Sequence, residues 1–153
     1  MGLDLSSETE AWLRAGAEAA AKDQTTEASR HFLALLELGY LAASADGLAD
    51  AERDALAHAL EEATDAVVDH ESFARHFRDL DAAVEALGRR ERLLAASTAF
   101  ADEHAREEAL RFAALVAMAD EHLDAKEMQV LEELGACFGF AKDRVHTLVE
   151  QLR

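Results

Sequence analysis

The sequence predicts an all-α protein, a compact bundle of about seven to eight helices built from two related helix–loop–helix halves. Half of the 153 residues are apolar, and Ala and Leu, which both favour helices, supply most of that half. Proline is absent and only seven glycines occur, so few helix breakers interrupt the chain. Apolar residues recur three and four positions apart in several segments, which is the spacing of one helix face.

Two segments have the pattern of central helices. The first runs to about Ala45 and the second from about Glu103 to Ala119, and apolar residues lie on almost every side of both. A helix of that kind is buried. A further helix over about residues 8–22, opened by a capping box of Ser7 and Glu10, precedes them. We therefore divide the chain into an extra N-terminal helix, residues 1–25, and one helical domain, residues 26–153.

The charge is the strongest signal in the composition. A formal net charge of −17 repels nucleic-acid phosphates and anionic lipid headgroups, and it attracts cations and basic partners. The only short basic cluster, Arg89, Arg90 and Arg92, is too small to bind nucleic acid. We expect protein partners and no nucleic acid, although acidity that merely keeps the protein soluble explains the charge equally well.

The cysteine count and the hydropathy of the sequence predict the cellular compartment of the protein. Cys137 is the single cysteine, so no intrachain disulfide is possible and a reduced thiol is expected. No run of about 18 apolar residues occurs, so we expect no direct membrane insertion. These features predict a cytoplasmic protein, which would lie at the inner membrane only through its partners.

An internal repeat relates the two central helices. A shift of 74 positions superimposes the following pairs: Leu36 on Leu110, Leu41 on Leu115, Asp46 on Asp120, Asp50 on Asp124 and Leu60 on Leu134. The two aspartates at one spacing, in one helix–loop–helix context, carry more weight than the apolar matches. The sequence therefore predicts a twofold repeat.

The repeated aspartates are the candidate functional residues. Asp50 and Asp124 are predicted to cap the helices that follow the loops. Asp46 and Asp120 follow helix C-termini, where the dipole disfavours a carboxylate, so a turn, a basic side chain or a cation must offset the cost. Together with Glu127 and loop carbonyls, these aspartates would offer oxygen ligands to a divalent cation, with Ca²⁺ the expected one. Structural turns remain the alternative.

The sequence lacks the motifs of several other well-known metal sites and enzymes. Alignment of Gly47 with the invariant glycine of an EF-hand places Ala42 and Arg53 where that loop needs acidic ligands. Di-iron bundles need Glu-x-x-His motifs, and the sequence has none, so we interpret the seven histidines as surface residues. Cys137 lies in an apolar stretch and is interpreted as a core thiol. No serine-hydrolase, phosphate-loop or zinc-protease motif occurs, and we expect no enzyme activity.

Both loops resemble those of the tellurite-resistance TerB family. The first reads Ala45-Asp46-Gly47-Leu48-Ala49-Asp50-Ala51-Glu52, and the second reads Ala119-Asp120-Glu121-His122-Leu123-Asp124-Ala125-Lys126-Glu127. The resemblance covers about residues 28 to 152. It implies an all-helical fold with two similar halves, divalent-cation binding on an acidic surface, and assembly with other stress-response proteins near the membrane. It implies no catalysis.

The resemblance has two departures. Glu121 stands where a glycine is expected, and Arg53 stands where the second loop has Glu127, so a site in the first loop would use Glu52 or lack that ligand.

We expect a divalent-cation-binding interaction module of a tellurite or stress-response system. The alternative is a metal-free acidic scaffold that docks a basic partner. If the central helices cross near their C-termini, Asp46 and Asp120 come together in one shared site, whereas an antiparallel arrangement separates the loops. We expect the shared site, because one cation would relieve both carboxylates.

Overall fold

The computed structural model describes residue 3 and residues 5–119 and 123–152. These residues form eight α-helices and no strand, which confirms the predicted all-α bundle. The helices are α1 (Ser7–Lys22), α2 (Glu27–Ala43), α3 (Asp50–Ala63), α4 (His70–Leu87), α5 (Arg89–Ser97), α6 (Glu103–Ala117), α7 (Ala125–Cys137) and α8 (Lys142–Glu150).

Polar side chains begin most of these helices. Thr26, Asp69, Asp102 and Asp124 each accept a hydrogen bond from a backbone N–H in the first turn of the helix that follows. Ser6 does the same for α1, so the cap predicted at Ser7 and the helix start predicted at about residue 8 were each one residue late. The hydroxyl that reaches the free N–H of Thr9 lies three residues before it, and Ser6 alone has that spacing.

Helices α2 and α6 form the centre of the bundle, as predicted. They pack against each other along much of their length, and α1, α5 and α7 cover α2. Apolar side chains on nearly every side of α2 are buried, including Leu35, Leu38 and Leu41. Helix α6 buries Leu110 and Phe112 in the same core. This burial of apolar surface is the main stabilising term of the fold.

The two central helices come closest at Gly39. A Cβ atom added there would lie 2.9 Å from Cε2 of Phe112 and 3.1 Å from Cγ2 of Val116. All three residues belong to the last two turns of their helices. The helices are therefore in close contact near their C-termini, the ends from which the two loops begin.

We expect Gly39→Val to destabilise the protein by about 1–3 kcal/mol, because the added methyl groups have no space between α2 and α6. Arg30→Val is the matched control, since it places the same side chain on the exposed face of α2. Thermal unfolding of both variants measures the effect. An unchanged midpoint for Gly39→Val would show that the helices do not approach this closely.

Candidate functional site: the paired loops

The loops that follow α2 and α6 lie next to each other. We call residues 44–49 the first loop and residues 118–124 the second loop. A small pocket between them is lined by residues from both halves: Ala43, Leu48, Glu52, Leu56, Val116, Ala117, Ala119 and Glu127. The two halves of the repeat therefore meet at their loops.

The first loop is a tight turn that ends in Ala49. The N–H of Gly47 donates to the carbonyl of Ser44 at 2.9 Å, and the φ angle of +91° at Gly47 suits glycine. Ala49, and not Asp50, is the cap residue of α3, and Glu52 accepts a hydrogen bond from the N–H of Ala49 at 3.0 Å. The prediction that Asp50 caps α3 was therefore wrong.

Asp50 lies one residue inside the helix and makes a different contact. Its carboxylate accepts a hydrogen bond from Nη1 of Arg53 at 2.9 Å, and its side chain is 96% exposed. The first loop is one residue shorter than the second when the loops are matched at their cap residues. Glu52 is thus the structural counterpart of Glu127, and this removes the apparent mismatch between Arg53 and Glu127.

The second loop ends in a complete capping box, which confirms the predicted role of Asp124. Its Oδ1 accepts a hydrogen bond from the N–H of Glu127 at 2.8 Å, and Oε1 of Glu127 accepts one from the N–H of Asp124 at 3.0 Å. The side chain of Glu127 is buried. These reciprocal bonds fix the direction of the Asp124 carboxylate.

Asp46 of the first loop meets Asp124 of the second. When Asp46 is protonated, a hydrogen bond to the carboxylate of Asp124 favours that form, and this raises the pKa of Asp46. The same bond, followed by the N–H of Glu127, lowers the pKa of Asp124. Lys126 also favours the ionised form of both carboxyls. The two loops thus bring one carboxyl group from each half of the repeat into direct contact.

Asp120 was predicted to be the partner of Asp46, and it lies outside the described residues. Two groups of three close ligand-type side chains occur in the described part of the chain, and neither contains Asp46, Asp50, Asp124 or Glu127. The described portion of the loop pair accordingly supplies a pair of carboxylates, and not a full set of metal ligands.

Arg89 places a basic side chain at the C-terminus of α2, which is one of the three ways considered above to offset a carboxylate there. Its guanidinium donates to the carbonyls of Leu41 at 2.6 Å and Ser44 at 3.1 Å, and to the hydroxyl of Ser44 at 3.2 Å. A positive charge at this end of a helix complements the dipole. Arg89 therefore holds the end of α2 in place just before Asp46.

Arg92 also points inward, which the sequence did not indicate. It forms two hydrogen bonds of 2.6 and 2.7 Å with Glu37, a buried residue in the middle of α2. An unpaired carboxylate at that position would be costly, so α5 must supply a partner. The basic cluster of Arg89, Arg90 and Arg92 is mainly structural, and of these three only Arg90 is exposed.

The family model described as "Tellurite resistance protein TerB" matches residues 32–149, which is most of the chain. The chain belongs to the TerB family. No curated protein and no solved structure matches it. The TerB match begins inside α2, so α1 lies outside it.

Membership of the TerB family makes this a domain related to tellurite resistance, from a family that is generally helical and non-enzymatic. Burial raises the pKa of the Cys137 thiol, so this group is less reactive than an ordinary cysteine. Burial also lowers the pKa of His31 and of His76, which are partly enclosed and not the surface residues predicted.

No helix in the described ranges is both long and apolar enough for a membrane span.

We expect Arg89→Ala to lower the free energy of unfolding by about 1–3 kcal/mol, because it leaves the carbonyls of Leu41 and Ser44 without their charged donor. The matched control is Arg90→Ala, the exposed neighbour on the same helix, which should change stability little. Denaturant unfolding of both variants gives the two values. Equal losses would contradict the role assigned to Arg89.

Proposed function

We propose that this TerB-family chain is a non-enzymatic interaction module that binds a divalent cation, with Ca²⁺ the expected ion, at the paired loops. The observation that carries the proposal is the contact between the carboxyl groups of Asp46 and Asp124. When both are ionised they repel each other, and a cation bound between them would replace that repulsion with attraction.

The predicted ligands differ in how well they suit this role. Asp46 and Asp124 face each other and belong to different halves of the repeat. Glu127 already holds the N–H of Asp124, so it acts as a positioning residue for that carboxylate. Asp50 is paired with Arg53 and is the weakest candidate. Asp120, the counterpart of Asp46 in the repeat, remains a proposed ligand. It would be the third aspartate of the site, after Asp46 and Asp124, and the second loop would supply it.

The charge distribution supports both a cation and a basic partner. Lys and Arg total 15 against 32 Asp and Glu, and several arginines are used inside the fold. Arg89 and Arg92 bind α2, while Arg53 donates to Asp81 at 2.9 Å and to the hydroxyl of Tyr40 at 3.3 Å. Arg53 and Arg92 are paired with carboxylates, so these contacts leave the large excess of acidic residues in place, and that excess favours cations and basic partners.

A second candidate follows from the same surface. It is a metal-free scaffold whose acidic face docks a basic protein, for example within a membrane-associated stress complex. The two candidates differ in their need for a cation. Recovery of the same partners on an immobilised chain with and without chelator would favour the scaffold, whereas partners retained only with Ca²⁺ would favour the cation-binding module.

We expect chelator-treated protein to bind Ca²⁺ with measurable heat and to unfold at a higher temperature as Ca²⁺ is added, because an ion that binds only the native state stabilises it. Asp46→Asn and Asp124→Asn should each abolish both effects. Asp143→Asn, at an exposed aspartate on α8, should leave them unchanged. No heat and no shift of the unfolding midpoint at millimolar Ca²⁺ would refute cation binding at the loops.

A further inference from the structure

The turn between α3 and α4 brings together a second group of potential metal ligands. His58 and Glu61 lie three residues apart on α3, and His70 is the first residue of α4. One ligand atom of each residue lies within 4.8 Å of those of the other two. The group is not evident from the sequence, because the order on α3 is His-x-x-Glu and the third member comes from another helix.

The three side chains are already held by contacts with each other. The rings of His58 and His70 are stacked, with centroids 3.9 Å apart and planes 20° apart, so one ring must rotate for both to bind a single ion in the planes of their rings. Oε2 of Glu61 accepts a hydrogen bond from the backbone N–H of His70 at 2.7 Å and lies 3.1 Å from Nδ1 of the same residue. A separation of about 3 Å between nitrogen and oxygen is also what two adjacent ligands of one Zn²⁺ ion have, given metal–ligand bonds of about 2 Å.

We propose that His58, Glu61 and His70 form a transition-metal site, of the kind that binds Zn²⁺, which links the end of α3 to the start of α4. Two imidazoles and one carboxylate are ligands that Zn²⁺ prefers, and three protein ligands leave one position for water. Ca²⁺ prefers oxygen ligands alone, so this site differs in chemistry from the paired loops. The proposal does not depend on the function proposed for those loops.

Another group of ligand-type side chains in the described part of the chain is a weaker candidate for a metal site. It consists of Glu8, His104 and Glu108. Glu108 there accepts hydrogen bonds from the hydroxyl of Thr9 at 3.0 Å and from Arg111 at 2.7 Å, so both of its oxygens are used and its charge is neutralised. In contrast, among the described residues none donates a hydrogen bond to Oε1 of Glu61. That oxygen is available to a metal ion.

The position of the proposed site gives it a structural consequence. The chain between α3 and α4 contains Asp65 and Ala66, two consecutive residues with positive φ angles of 57° and 61°. Residues with side chains adopt that conformation at a cost. A metal ion bound by His58 and His70 would tie together the two helices on either side of this turn and stabilise it.

The test is a Zn²⁺ titration of the full chain after treatment with chelator, in competition with a chromophoric chelator, and a Co²⁺ titration followed by visible absorption. We expect one strong Zn²⁺ site, a raised unfolding midpoint with Zn²⁺, and a visible Co²⁺ spectrum with nitrogen ligands. His58→Ala and His70→Ala should each weaken Zn²⁺ binding at least tenfold and remove the Co²⁺ spectrum. Glu61→Gln, which retains a hydrogen-bond acceptor for His70, should also weaken it.

The controls separate this site from others. His146 contacts Glu132 at 2.9 Å but belongs to no group of three ligand-type side chains in the described part of the chain, so His146→Ala should bind Zn²⁺ as the parent chain does. Asp46→Asn should also retain Zn²⁺, whatever its effect on Ca²⁺. The proposal is overturned if the parent chain binds no Zn²⁺ below millimolar concentration. It is equally overturned if His104→Ala, and not His58→Ala or His70→Ala, removes the binding.

Discussion

At Gly39 the backbone of α2 lies so close to α6 that a single added carbon would meet Phe112 and Val116. This close contact lies in the last two turns of both helices, next to the ends from which the two loops begin. The first loop begins from a helix end that Arg89 holds, and the second loop ends at the capping box of Asp124 and Glu127. The contact between the loops is thus a consequence of core packing.

The same core explains how a chain of net charge −17 uses its few basic residues. Glu37 needs Arg92 because it is buried, and the end of α2 needs Arg89 because its last carbonyls have no helical partner. Arg53 joins α3 to Tyr40 and Asp81 in the same way. Stabilising the fold therefore uses arginines whose positions the composition alone would not reveal.

The sequence predicted the features that depend on local spacing. The period of apolar residues identified the central helices, and Asp124 was recognised as a cap because aspartate is favoured just before a helix, where it accepts free N–H groups. The same preference favoured Asp50 over Ala49 at the cap of α3, and the start of that helix was therefore placed one residue late. Contacts across the fold could not be predicted, since the pairing of Asp46 with Asp124, and of Glu61 with His70, depends on how helices pack.

A double-mutant cycle on Asp46 and Asp124, measured in chelator, tests most directly whether the two loops form one unit. The raised pKa of Asp46 means that the native state loses stability when this group ionises. This loss of stability is present at neutral pH and absent below about pH 4. Asparagine caps helices as well as aspartate does, so Asp124→Asn removes the charge and keeps the cap. We expect Asp46→Asn to stabilise the parent chain at pH 7. The same substitution should not stabilise the Asp124→Asn variant, which lacks the second charge. The same gain in both backgrounds, or no gain in either, would contradict this expectation.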